Sequence, residues 1–132
     1  MARLSIRIDF EPSRSALGPG MAELLERIAS QGSIRRAAAS MDMSYRKAWL
    51  LIQEVQKTFD GPVVTAAAGG VAGGGTQLTE LGKKLLECYR RIEAGAARAV
   101  QSDLRVLAQL VKPDAAPRRS ARKKAGKKSG SP

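Results

Sequence analysis

Ser44, Tyr45, Arg46 and Lys47 stand in succession, and Trp49 and Gln53 follow one and two turns later if the stretch is helical. Hydroxyls, two cations, an indole and an amide do not make a bond-breaking set. They do match the base edges and phosphates of a DNA duplex. The guanidinium fork of Arg46 fits the O6 and N7 acceptors of guanine. The Ser44 hydroxyl either caps the helix or touches phosphate, and Trp49 either stacks on the DNA backbone or anchors packing. Arg35 and Arg36, just upstream, lie where a phosphate flank is expected, although Arg36 is equally well explained as solvated surface charge.

No other constellation competes. The chain has no histidine, and its one cysteine, Cys88, reads as a small hydrophobe on a helix. No carboxylate pair sits in a special context, so neither an enzyme nor a metal site nor a cofactor is expected. The glycine-rich run Gly69–Gly75 is not closed by lysine and a hydroxyl residue, and it does not fit G-x-G-x-x-G. It therefore does not read as a nucleotide loop.

The elements that would present these side chains can be read from their periodicity. Ser33 is an N-cap, followed by Ile34, Ala37, Ala38 and Met41 on one face, and the run Ala37–Ala39 suits closely crossing axes. Met41, Asp42 and Met43 are too few for a loop of their own. Ser44 then caps a second helix with the stripe Ala48, Leu51, Ile52, Val55 and Phe59. This is helix-turn-helix spacing; a helical hairpin with a solvated basic face is the plainer alternative.

Upstream, Leu4, Ile6, Ile8 and Phe10 alternate with polar residues as in a half-buried strand. Glu11 to Gly20 reads as a loop. A helix from about Pro19 carries Met21, Leu24, Leu25 and Ile28 and ends at Gly32. Downstream, Asp60, Gly61 and Pro62 stop the second helix of the pair. Val63–Thr65 and Thr76–Leu78 predict two paired strands, a wing joined through the glycines. Thr79 caps a long helix reaching about Val111, in which Gly82 and Gly95 interrupt the propensity.

That helix carries one stripe through Leu81, Leu85, Cys88 or Tyr89, and Ile92, and a second through Val100, Leu104, Leu107 and Val111, with Leu85, Tyr89, Ile92, Val100, Leu104 and Leu107 as the dimerisation candidates. The shift of phase predicts a bend, or two helices that pack differently. Pairing of these stripes about a two-fold axis would make a homodimer. Folding back as a monomer's cover is the alternative.

Charge separates the chain into two parts. Of a net charge of +11, the stretch from Lys112 holds eight cations and one acid, a net of +7, and no large apolar residue. Residues 1–111 thus read as one domain and 112–132 as a disordered basic tail. The tail can neutralise phosphates through Arg118, Arg119, Arg122, Lys123, Lys124, Lys127 and Lys128, or serve solubility or a membrane surface. No apolar run approaches the roughly 20 residues of a membrane span. The alternating N-terminus does not read as a signal peptide, and one cysteine suits a reducing cytoplasm. The expected class is mainly α with a small β component, a winged helix-turn-helix with a long C-terminal dimerisation helix.

The block from Ser44 to Trp49, the glycines 69–75 and the following Leu78, Thr79 and Gly82 resemble the DNA-binding domain of ModE-type molybdate-responsive regulators, and more distantly that of LysR-type regulators. The likeness covers roughly residues 3–110. It implies a cytoplasmic, nucleoid-associated homodimer, joined through the first strand and the long helix, that binds operator DNA with the second helix of the pair. It also implies a link to molybdenum metabolism. Ala68 and Val71 stand where family wings usually carry threonine and a basic residue, which weakens a phosphate contact there. Members that sense molybdate do so through further C-terminal β-rich domains, whereas Lys112 onward is a polar tail. The resemblance therefore extends to double-stranded DNA and a second copy as partners. It supports oxyanion sensing poorly: a shortened member acts with a separate sensor, responds to nothing, or serves another operator. An architectural DNA-binding protein using the tail and a dimeric adaptor without DNA readout are the alternative functions.

Overall fold

A computed structural model describes residues 1–13, 15–67 and 75–113. Arg3–Val100 forms one compact unit, to which Gln101 onward does not belong. The unit opens with an antiparallel hairpin of β1 (Ile8–Phe10) and β2 (Ser15–Leu17), Ile8 lying opposite Leu17 and Phe10 opposite Ser15. Three helices follow: α1 (Pro19–Gln31), α2 (Ile34–Ser40) and α3 (Tyr45–Phe59). A second antiparallel ribbon, β3 (Val64–Ala67) with β4 (Gly75–Leu78), leads to α4 (Glu80–Ala99).

The three helices form because each has a cap and an apolar face. Proline at the first turn starts α1, and Gly32, at φ 70°, ends it by donating to the Ile28 carbonyl. Met21, Ala22, Leu24, Leu25 and Ile28 supply its buried face. Ser33 caps α2, its hydroxyl accepting from the Arg36 amide at 3.1 Å. Ala37 and Ala38 are buried from α2, where their small size allows a close crossing with Ala48 of α3. Ala39, the third alanine of the run, faces solvent instead.

The ribbon and α4 complete the core with Val63, Leu78 and Tyr89. The Thr79 hydroxyl accepts from the Gly82 amide at 3.0 Å and donates to the Pro62 carbonyl at 2.7 Å, so one cap holds both the helix and the ribbon's root. Gly82, expected only as a weak point in the helix, has a packing reason: a Cβ there would stand 2.3 Å from the Val63 carbonyl oxygen. At the other side, the Thr76 amide donates to the Gly32 carbonyl at 2.9 Å and ties β4 to the α1–α2 junction.

Two expectations are corrected. The first strand was expected from Leu4, but only Ile8–Phe10 is in a ladder. The inside–outside alternation runs from Leu4 to Phe10 all the same; the ladder stops because β2 offers a partner of only three residues. The segment 11–20, expected as a loop, contains β2, whose Ser-Ala-Leu sequence carries little strand propensity. The stretch to Val111 forms two helices, one of the two outcomes that its change of stripe predicts: α4 ends with Val100 at φ −111° and ψ 16°, and Gln101–Leu110 forms α5. This break falls where the apolar stripe changes phase. None of α5's residues is buried. The glycine-rich connection at 68–74 and the basic residues from Arg118 lie outside the described residues.

Candidate nucleic-acid interface

The side chains singled out by type converge on one surface, the face of α3 turned away from the core. The chain reaches it through Met41–Ser44, where Asp42 takes a left-handed conformation at φ 57°. An aspartate tolerates that conformation better than most residues do. Ser44 follows in extended backbone and its hydroxyl accepts from the Lys47 amide at 3.0 Å, which settles its capping role and contributes about 1 kcal/mol to helix stability.

Ala48, Ile52 and Val55 turn inward. Tyr45, Arg46, Lys47 and Trp49 turn outward, and Gln53 is half-buried. Trp49 is 44% exposed, so packing within the chain does not account for it. From α2, the Arg35 guanidinium lies 4.7 Å from the centroid of the Tyr45 ring, a cation–π contact that joins the two helices at the surface. Arg36 is exposed beside it. Among the described residues no carboxylate is within ion-pair reach of Arg35, Arg36, Arg46 or Lys47.

One outward residue was not anticipated. Leu50 is 45% exposed and lines a shallow concavity with Ser44, Arg46, Lys47, Leu51 and Glu54. A leucine one position off the apolar stripe was the available signal.

The residues expected to join two copies are distributed differently. Tyr89 is inside the chain's own core, 1% exposed, and its hydroxyl donates to the Ile6 carbonyl at 2.6 Å. Burial raises its pKa above the ordinary phenol value, with a further push from the Glu93 carboxylate that Arg90 partly offsets. Tyr89 therefore serves the fold rather than an outer face. Leu85 is half-buried and Ile92 is 48% exposed; with Phe10, Phe59 and Cys88 they border an apolar surface groove. Val100 and Leu104 are half-buried, and Leu107 on α5 is exposed.

Part of the remaining charged surface is paired, while Lys57, Lys84, Arg91 and Arg98 also stand without a carboxylate in ion-pair reach among the described residues. Arg90 on α4 contacts Glu93 at 2.9 Å and Glu26 and Glu23 of α1, and Arg27 joins Glu23 at 2.7 Å while also donating to Ser40 of α2. The Glu93 hydrogen bond is the main cause of a raised Arg90 pKa. No helix among the described residues is long and apolar enough to cross a membrane.

No protein-family model matches the chain. It is 42% identical over 92 residues to the molybdenum-pterin-binding protein MopB of Rhodobacter capsulatus, a match covering 70% of this chain and 34% of that one. It is 40% identical over 93 residues to the molybdenum transport protein ModE of Azotobacter vinelandii, covering 70% and 33%. It is 38% identical over 71 residues to the DNA-binding transcriptional dual regulator ModE of Escherichia coli K12, covering 54% and 27%. The chain thus spans about a third or less of the length of these relatives. The relatives are named for molybdenum-pterin binding, molybdenum transport and transcriptional regulation, and the chain is similar to that part of each.

Proposed function

We propose that the protein is a sequence-specific DNA-binding transcriptional regulator of the ModE type, a winged helix-turn-helix that acts as a homodimer on operators connected with molybdenum metabolism. The observation that carries this reading is the free face of α3: cations without carboxylate partners beside exposed aromatics, on a helix whose opposite face is fixed in the core. In this reading α3 lies in the major groove, Arg46 reads a guanine, and Lys47, Arg35 and Arg36 hold phosphates. Arg35 also steadies Tyr45 at the entrance. Trp49 and Gln53 extend the contact along the groove, and the β3–β4 ribbon is the wing. The groove at Leu85 and Ile92 is a surface offered to a second copy, and Val100 and, separately, Leu104 and Leu107 of α5 are further dimerisation candidates. A response to molybdate, if the regulator has one, would come through a separate oxyanion-sensing partner or domain.

A second reading rests on the +7 balance from Lys112 onward. There the tail dominates and the protein is architectural, binding any duplex with affinity that falls steeply with salt. Selection from a random duplex library at near-physiological salt, with the full chain and with a chain ending at Val111, separates the two. Enrichment of a common sequence by both forms supports the regulator. Absence of enrichment, with affinity lost on removing the tail, supports the architectural protein.

A further inference from the structure

We infer that Leu50 is a second specificity determinant, reading the C5-methyl group of a thymine within about two base steps of the guanine met by Arg46. The inference rests on the sequence-reading role of α3 proposed above and adds to it the chemistry of one more base.

Leu50 is not needed by the core, because Ala48, Ile52 and Val55 already supply the buried face of α3. Yet it is not an isolated surface leucine. It follows Arg46 by four residues and Lys47 by three, precedes Glu54 by four, and lines one concavity with all of them. Those spacings place the side chains on adjoining turns of one face.

An aliphatic side chain can make only one kind of favourable contact on the floor of the major groove. Of the four base edges, thymine alone presents an apolar group there, the C5-methyl, while guanine, cytosine and adenine present donors and acceptors that leucine cannot meet. Leucine therefore selects in two ways: it shields a methyl group from water, and it would leave a polar edge without a partner at any other base.

Helix geometry sets the distance. Four residues at ~1.5 Å rise put Leu50 roughly 6 Å beyond Arg46 along the helix, which is about two steps of ~3.4 Å along a strand. Glu54, one turn further, places a carboxylate at the far end of the same face, where phosphates are unfavourable neighbours. Along the row from Arg46 through Leu50, contact with DNA is thereby disfavoured beyond Leu50.

The test starts from the duplex selected in the library experiment, with each thymine replaced in turn by deoxyuridine, which removes the methyl group and nothing else. The full chain should lose about fourfold in affinity at one thymine of each half-site, the scale of burying one methyl-sized group. Leu50→Ala should bind thymine and uracil duplexes alike, Leu50→Met should keep much of the difference, and Arg46→Ala should retain it. If no position responds to uracil, if Leu50→Ala leaves the thymine preference intact, or if Arg46→Ala abolishes it along with the guanine preference, the inference is overturned while sequence reading stands. If the library yields no common sequence at all, sequence reading itself fails and this inference falls with it. Circular dichroism of Leu50→Ala checks that the fold is kept, as its exposed position requires.

Discussion

Arg90 and Arg46 are the same residue in opposite circumstances. Arg90 bridges α4 to α1 through Glu26 and Glu23 and pairs with Glu93 on its own helix, so its charge is spent inside the fold. Arg46 on α3 has no carboxylate in reach among the described residues, and neither has Lys47 beside it nor Arg35 and Arg36 on α2. A net positive charge says that a polyanion is a reasonable partner, but it does not say where. Pairing narrows the choice, because a cation already held by carboxylates has less to gain from a phosphate, and at the start of α3 the unpaired cations stand beside the exposed Tyr45 and Trp49. The paired side holds the helices together and the unpaired side is what they hold out.

Breaking the paired side at its closest approach should have the largest effect. In Gly82→Ala the new Cβ meets the Val63 carbonyl, a backbone atom with little freedom to yield. Overpacking of about 3 kcal/mol, reduced by the ~1 kcal/mol by which alanine favours a helix, leaves a loss of roughly 2 kcal/mol or more in urea unfolding. Arg46→Ala should reverse the pattern: specific DNA affinity falls by ~1 to 3 kcal/mol and the sequence preference relaxes, while unfolding stability stays within ~0.5 kcal/mol. A stability loss above that, or an equal loss on random duplex, would dissolve the contrast between the two arginines. Arg90→Ala should cost about 1 to 2 kcal/mol of stability, the scale of charge-assisted hydrogen bonds discounted for partial exposure, and leave DNA affinity unchanged at temperatures where the protein is folded.

The smallest effect is a pH dependence confined to the packed side. Burial raises the Tyr89 pKa above its ordinary 10.0, so the folded chain holds the phenol proton more tightly than the unfolded chain does. Its contribution to stability is complete below about pH 10 and is lost as pH rises from there through the folded-state value. Thermal unfolding of wild type against Tyr89→Phe between pH 8 and 11 should show the variant weaker by ~1 kcal/mol at pH 8, for the lost bond to Ile6, with the gap narrowing toward pH 11. A gap independent of pH would assign Tyr89 a packing role alone.

The caps and the stripes of α1, α2 and α3 are legible in the sequence, since Ser33, Ser44, Gly32 and the buried positions follow from local hydrogen bonding and a period of 3.6. So is the outward set on α3, because polar residues off a strong stripe have nowhere else to go. What escapes is whatever depends on a partner distant in the chain. β2 exists because β1 lies beside it, not because Ser15 and Ala16 favour strands. Tyr89 shares a stripe with Ile92, yet one is buried and the other exposed, and only the position of Ile6 and the core decides which. Gly82 reads as a helix weakness until the Val63 carbonyl is seen against it. Leu50 escapes for a different reason: periodicity ranks apolar residues by their fitness for the core and does not distinguish one that belongs outside.

The bond from Thr76 to the Gly32 carbonyl bears on how this reader could be borrowed. Cutting the chain after Asp60 would keep α1, α2 and α3 entire, but it would strand that carbonyl at the junction of the first two and remove Val63, Leu78 and Tyr89 from the shared interior. The three helices are therefore not a detachable cassette. A graft that transplants DNA reading to another protein has to carry the ribbon and α4 as well, and the smallest portable piece runs from Ile6, whose carbonyl accepts from Tyr89, to the end of α4.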